Sequence, residues 1–242
     1  MGGATMRWPS ADIVAVREVP NKGRGLVATT PLAAGAAVLC EEALAVASFG
    51  EMGNPWQVAA ALAKEVLQRG KEELTNGLEP CSDSSDSEEQ QLAKEECGST
   101  DAASALAALV AADVAPAERL RARRLLHVVV RNALALCGKQ AICVRGAMIN
   151  HSCSPNATHQ GFWRASDGAL CLCIRAVRAI AADEEVTISY VADLAATHAE
   201  RTVALEHHGF TAERRPCDEA MERWCGHPAR ACDGSVSTQY TI

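Results

Sequence analysis

Two stretches patterned as short β-strands, residues 12–48 and 141–190, are separated by a long stretch of helical and acidic character. That order constrains the fold most. A chain of 242 residues has room for one ordinary domain plus an insertion. The first stretch holds Asp12–Val16, a break at Gly23-Arg24-Gly25, Leu26–Ala28, a turn at Ala33-Ala34-Gly35, and Ala37–Cys40. Pro55 then opens a helix over Trp56–Gln68, with apolar residues at Ala59, Leu62, Ala63, Val66 and Leu67 and a stop at Gly70. Further helices fit Ala102–Val114 and Pro116–Cys137. β-patterns return at Ile142–Val144, Ala169–Ile174 and Val186–Tyr190, and a last helix fits Ala195–His207. The expected class is mainly β with a helical insertion, α+β.

The net charge of −7 is local. Between Glu79 and Asp101 there are eight acidic residues and one Lys, which accounts for the whole imbalance. The segment Ser82-Asp-Ser-Ser-Asp-Ser-Glu-Glu89 buries too little apolar surface to offset its ordering entropy and reads as a disordered surface loop. It is also open to reading as a set of acidic-kinase sites or an electrostatic tether. Arg119, Arg121, Arg123, Arg124 and Arg131 stand on one predicted helix. Such runs usually form a solvated face, so direct nucleic-acid binding is not expected. The eleven cysteines are odd in number and irregularly spaced, the N-terminus has no apolar signal region, and Met6 stands where a myristoylation motif needs a hydroxyl. No apolar run reaches the ~18 residues of a membrane span. Reduced thiols in an intracellular protein are the expectation.

The strongest chemical signal is Asn150-His151-Ser152-Cys153-Ser154-Pro155-Asn156. His151 and Cys153 suggest metal ligands or a Cys–His pair, although a His beside a Cys is usually neither. In an extended segment both side chains fall on one face. No neighbouring His/Cys group has the spacing of a closed zinc site.

This segment, followed by Glu184-Glu185-Val186-Thr187-Ile188-Ser189-Tyr190, closely resembles the SET-domain protein lysine methyltransferases. Lys22-Gly-Arg-Gly-Leu-Val-Ala28, Glu41-Glu42, Arg131-Asn132 and Arg175–Ile180 fit the same pattern. The nearest type is the SET-and-MYND one, in which a helical insertion splits the domain. The resemblance implies a β-clip fold of small sheets with a knot-like C-terminal segment. It implies a SET domain over 12–217, an insertion at about 52–137 containing the acidic loop 81–101, and a weakly ordered tail at 218–242. S-adenosylmethionine is the implied methyl donor, and a protein or peptide lysine, histone or non-histone, is the implied acceptor. By the same resemblance, Lys22, Gly23 and Arg24 belong to the loop that cradles the donor, and Asn132 is a donor-binding residue. Asn150 and His151 hold the donor's two ends largely through backbone groups, Phe210 packs on the adenine, and Tyr190 is the active-site tyrosine.

Two departures stand out. The dense Cys/His array of a MYND module is missing, since residues 50–130 offer only Cys81, Cys97 and His127. After the SET domain, relatives place Phe-x-Cys-x-Cys-x-x-Cys, with a fourth zinc ligand from the signature cysteine. Here Ala212 and Arg214 replace two thiolates, leaving Cys153 and Cys217, so no metal site is expected. Cys225, His227 and Cys232 have no spacing that completes it. His208 replaces a tyrosine that usually lines the lysine channel. The competing expectation is therefore a SET-like module that binds donor or peptide but turns over weakly behind an impaired wall. A scaffold acting through the acidic loop is a third.

Overall fold

The computed structural model describes residues 13–48, 55–78, 100–110, 115–208 and 211–219. In chain order the elements are β1 (Val14–Val19), β2 (Gly23–Ala28), β3 (Ala37–Glu42), β4 (Ala45–Ser48), α1 (Pro55–Gln68), α2 (Thr100–Leu109), α3 (Pro116–Asn132), β5 (Ala133–Leu136) and β6 (Lys139–Ile142). They continue with β7 (Asn150–His151), β8 (Ala157–Trp163), β9 (Leu170–Ala176), β10 (Glu185–Ile188) and α4 (His198–Leu205), with short 3-10 turns at Glu72–Thr75, Gly146–Met148 and Glu206–His208. Small, mostly antiparallel sheets with a few helices make the mixed α+β class that the sequence implies. The chain forms two compact units.

The first unit takes in Ala37–Met148 and His159–Ile174. In α1, Ala59, Leu62, Ala63 and Val66 recur at helical spacing and enter one buried cluster with Ala105 and Leu106 of α2 and Leu125, Leu126 and Val129 of α3. Pro116 starts α3, where its missing N–H costs nothing. The helix ends at Asn132, five residues before the Cys137 end that the sequence suggests. Cys137 and Gly138 both adopt positive φ, 51° and 70°, the two-residue hairpin turn whose twist suits antiparallel strands. Ala133–Leu136 therefore pairs with Lys139–Ile142 instead of extending the helix, and β4 completes a sheet in the order β4-β6-β5. β6 accordingly stops at Ile142 rather than reaching Val144. A second sheet runs β3-β9-β8. α2 starts at Thr100, so the last positions of the expected acidic loop, Thr100 and Asp101, are helical; the rest of that loop lies outside the described residues.

The second unit takes in Asp12–Ala36, Ile149–Thr158 and the chain from Arg175 onward. Its sheet has the order β1-β2-β10-β7. A type II turn joins β1 to β2: Pro20 fixes φ, Asn21 takes φ 64°, and Lys22 N–H donates to Val19 O at 3.1 Å. β10 runs antiparallel to β2, with Val186 opposite Leu26, and parallel to β7, with Thr187 opposite Asn150 and Ile188 opposite His151. The central strand thus brings the 22–28 loop and hairpin beside the Asn150–His151 segment. α4 begins later than Ala195 because Thr197 caps it. The Thr197 hydroxyl accepts from Glu200 N–H, and the Glu200 carboxylate accepts from Thr197 N–H. Of the expected tail at 218–242, Asp218 is 1% exposed, and residues from 220 lie outside the described ones.

Candidate functional site

The site is built around the exit of β10. Asn156, 2% exposed, ties the signature segment to that strand. Its Oδ1 accepts from Thr187 N–H at 2.8 Å, and its Nδ2 donates to Glu185 O at 2.7 Å and Glu184 Oε1 at 3.1 Å. Three residues beyond Thr187 lies Tyr190. Its hydroxyl donates to Ile149 O at 2.6 Å, and its ring packs 5.5 Å from His151 and 4.9 Å from His208. Burial first, and the negative charge of Glu185 second, push the Tyr190 phenol up to about 12. It is a neutral phenol near neutral pH. Its proton is committed to Ile149 O, which leaves the oxygen's lone pairs as acceptors.

His151 and Cys153 do share one face, with Nε2 and Sγ 3.2 Å apart. The Tyr190 backbone N–H donates to His151 Nδ1 at 3.0 Å, so Nδ1 carries no proton and Nε2–H points to the sulfur. The ring is used up in bracing Tyr190, and any contact of His151 with a ligand falls to its main chain. Burial lowers the His151 pKa to about 4. Between that value and the ordinary ~6.5 the unfolded chain binds a proton that the folded chain refuses. The stabilising effect of the neutral ring is thus complete above pH 6.5 and is lost as pH falls toward 4. We expect unfolding free energy to drop by about 2 kcal/mol more between pH 7 and 5 in the parent chain than in His151→Asn. Urea unfolding of both chains at the two pH values measures this, and His159, also lowered by burial, cancels in the comparison.

Lys22, Gly23 and Arg24 gather on the same sheet. Asn150 Nδ2 donates to Arg24 O at 3.1 Å and Glu185 Oε1 at 2.8 Å, and Lys22 Nζ lies 3.3 Å from Glu185 Oε2 and 3.7 Å from Glu213 Oε1. Gly25 allows this approach, since a Cβ there would stand 2.7 Å from Val19 Cγ2 and 2.8 Å from Asn150 Nδ2. Gly23 adopts φ 69° with nothing within 4 Å of where its Cβ would stand, so the loop leaves open room for a ligand against bare backbone. Asn132 ends α3 in the other unit, where its amide donates to Val128 O. Phe210 lies outside the described residues.

Glu185 and Asn156 stand in the sequence motifs without a role of their own there, and Arg201 and Glu213 are site residues to which the sequence reading gave none. Glu213 accepts from Ser152 Oγ at 2.9 Å and Cys153 N–H at 3.2 Å. Arg201, fully buried on α4, donates to Cys153 Sγ at 3.4 Å. The Thr197–Glu200 capping box was the available signal for where α4, and so Arg201, sits.

The sequence profile of the SET domain matches residues 23–191, and the chain belongs to that family. Its members are typically protein lysine methyltransferases, which generally use S-adenosylmethionine. A crystal structure of a Plasmodium falciparum protein, provisionally described as a histone methyltransferase, is similar over 76% of this chain and 97% of its own, at 10% identity and a TM-score of 0.38. A likeness that distant bears on neither substrate nor activity. No curated protein matches the chain.

Proposed function

We propose that this chain transfers a methyl group from S-adenosylmethionine to the side-chain amine of a protein lysine, and that Tyr190 is its catalytic residue. The observation that carries this reading is the Tyr190 hydroxyl, neutral, with its proton directed to Ile149 O and its lone pairs left as acceptors. Lys22, Gly23, Arg24, Asn150 and the main chain of His151 hold the donor. The open backbone at Gly23 and the Asn150 amide fixed by Glu185 fit such a ligand. Bound there, the donor supplies an electrophilic methyl on a sulfonium.

The residues of the chain then have distinct tasks. A lysine amine must be neutral to attack, against an ordinary pKa of ~10.4, and the positive charge of a sulfonium beside it would favour the neutral form. Tyr190 Oη accepts an N–H from that amine and aligns its lone pair, so that orientation supplies much of the rate. His208 packs on the Tyr190 ring where relatives carry tyrosine, so an aromatic wall is retained there. That contact favours an enzyme over a module that binds without turnover. We place the chain with the SET-and-MYND type without its MYND module, acting as a monomer in nucleus or cytoplasm.

Labelled methyl transfer from S-adenosylmethionine to protein and peptide arrays tests the reading, with Tyr190→Phe as control. Calorimetry with S-adenosylhomocysteine should give saturable binding that Asn150→Ala weakens ~10-fold, the equivalent of one lost hydrogen bond. Binding without transfer above the control would leave only the binding module; no binding removes both readings.

A further inference from the structure

The zinc that the family resemblance implies behind the signature does not fit the residues present. Among the described residues no three His, Cys, Asp or Glu side chains gather as a metal site. What stands against Cys153 instead is a cation of the protein's own. Arg201 Nε points at Sγ from 3.4 Å, and a zinc ion bonded to that sulfur at ~2.3 Å would face a guanidinium with no carboxylate of its own between them. Cys217, the other remaining candidate, is exposed.

Arg201 uses all of its donor groups. Nη1 donates to Ala196 O at 2.8 Å and Asp218 Oδ1 at 3.0 Å, and Nη2 donates to Asp218 Oδ2 at 2.8 Å and Glu213 O at 3.0 Å. The pair with Asp218 is bidentate, and both side chains are out of water, 0% and 1% exposed. Arg215 covers Asp218 from the outer side through its N–H and Nε, and its guanidinium reaches the carbonyls of Leu194 and Ala196. His198 Nε2 lies 3.0 Å from Ala212 O. Through Glu213, the segment so pinned grips Ser152, Cys153 and Lys22.

We infer that this chain closes its C-terminal wall with a buried guanidinium–carboxylate clasp, Arg201 with Asp218, in the place where the resemblance calls for a zinc ion. The clasp explains how Ala212 and Arg214 can replace thiolates without loss of the wall: the cross-link is supplied by Arg201 and Asp218, which flank them in sequence. Ala212 fills the space itself, buried with Cys153, Val191 and Leu205.

The test uses the full chain, and each readout is taken without donor or peptide, so the outcome is independent of catalysis. Elemental analysis should find no stoichiometric zinc, and EDTA or 1,10-phenanthroline should leave Tm and the rate of tryptic cleavage after Arg214 unchanged. Breaking a buried pair from one side is costly, so Asp218→Asn should lower Tm by about 6–12 °C and speed that cleavage. In an Arg201→Met background the same substitution should cost less than about half as much, because the stranded charge is already gone. Stoichiometric zinc whose removal lowers Tm overturns the proposal, and so does an Asp218→Asn shift that is equal in the two backgrounds. Should Asp218→Asn not accumulate folded, the chelator and trypsin comparison on the unmodified chain decides.

Discussion

A Tyr190→Phe chain is expected to transfer methyl at least ~100-fold more slowly while binding S-adenosylhomocysteine within about threefold of the parent. The ring stays, with its contacts to His151 and His208, so packing changes little. What goes is the oxygen. Its bond to Ile149 O has a net worth of about 1 kcal/mol, too little to unfold the chain, whereas an amine that has lost its acceptor also loses its alignment. The pH profile separates this role from that of a base. Tyr190 is pushed up to about 12 by burial and by Glu185, so it does not titrate in the range where the rate rises. The rise reports the lysine amine. Single-turnover rates from pH 7 to 10 should therefore show Tyr190→Phe with a lower plateau and an unmoved midpoint. A midpoint that shifts or disappears would make Tyr190 the group that takes the proton.

The sequence disclosed those parts of the site that are contiguous. Asn150–Asn156 and Ile188–Tyr190 each sit on one short stretch, and strand pairing of β7 with β10 brings them together with no unusual geometry. The residues it hid are those whose meaning depends on a distant partner. Arg201 reads as one more charged residue of an amphipathic helix until Asp218 and Cys153 are beside it. Glu185 reads as half of an acidic pair until Lys22 and Asn150 meet it. The hairpin at Cys137-Gly138 was hidden differently. Ala133–Leu136 has good helix-forming residues and follows a helix, so local propensity and tertiary pairing disagree, and pairing prevails. In the fold, the β-rich flanks were legible as short runs rich in β-branched residues and bounded by turn residues; burial itself does not alternate, since Val16 of β1 is exposed and Val186, Thr187 and Ile188 of β10 are all buried. β9 was legible as a nearly continuous apolar run, since six of its seven residues are buried.

The same dependence on partners makes Asn156 the position where the smallest chemical change should do the most harm to the fold. Asn156→Asp keeps the shape and exchanges one NH2 for an oxygen. That oxygen would face Glu185 O, now 2.7 Å from Nδ2, and Glu184 Oε1, now at 3.1 Å, so two donated hydrogen bonds become two lone-pair contacts in a buried place. The acceptor side survives, since Thr187 N–H still finds an oxygen. An ionised acid there is expected to cost about 3–5 kcal/mol at pH 7, a large part of the ~5–15 kcal/mol that holds a domain folded. The new carboxyl can escape by keeping its proton, which restores one donor. Its folded pKa is then raised above the ordinary ~3.9, so the penalty is small near that value and grows as pH rises and the unfolded chain ionises. Asn156→Ala has no such escape. It leaves Thr187 N–H and Glu185 O without their partner at any pH, for about 2–4 kcal/mol. Urea unfolding of both variants at pH 7 and 4.5 distinguishes them. The Asp variant should recover toward the parent at the lower pH and the Ala variant should not. An Asp variant within about 1 kcal/mol of the parent at pH 7 would mean that the amide is not what joins the signature segment to the strand leading to Tyr190.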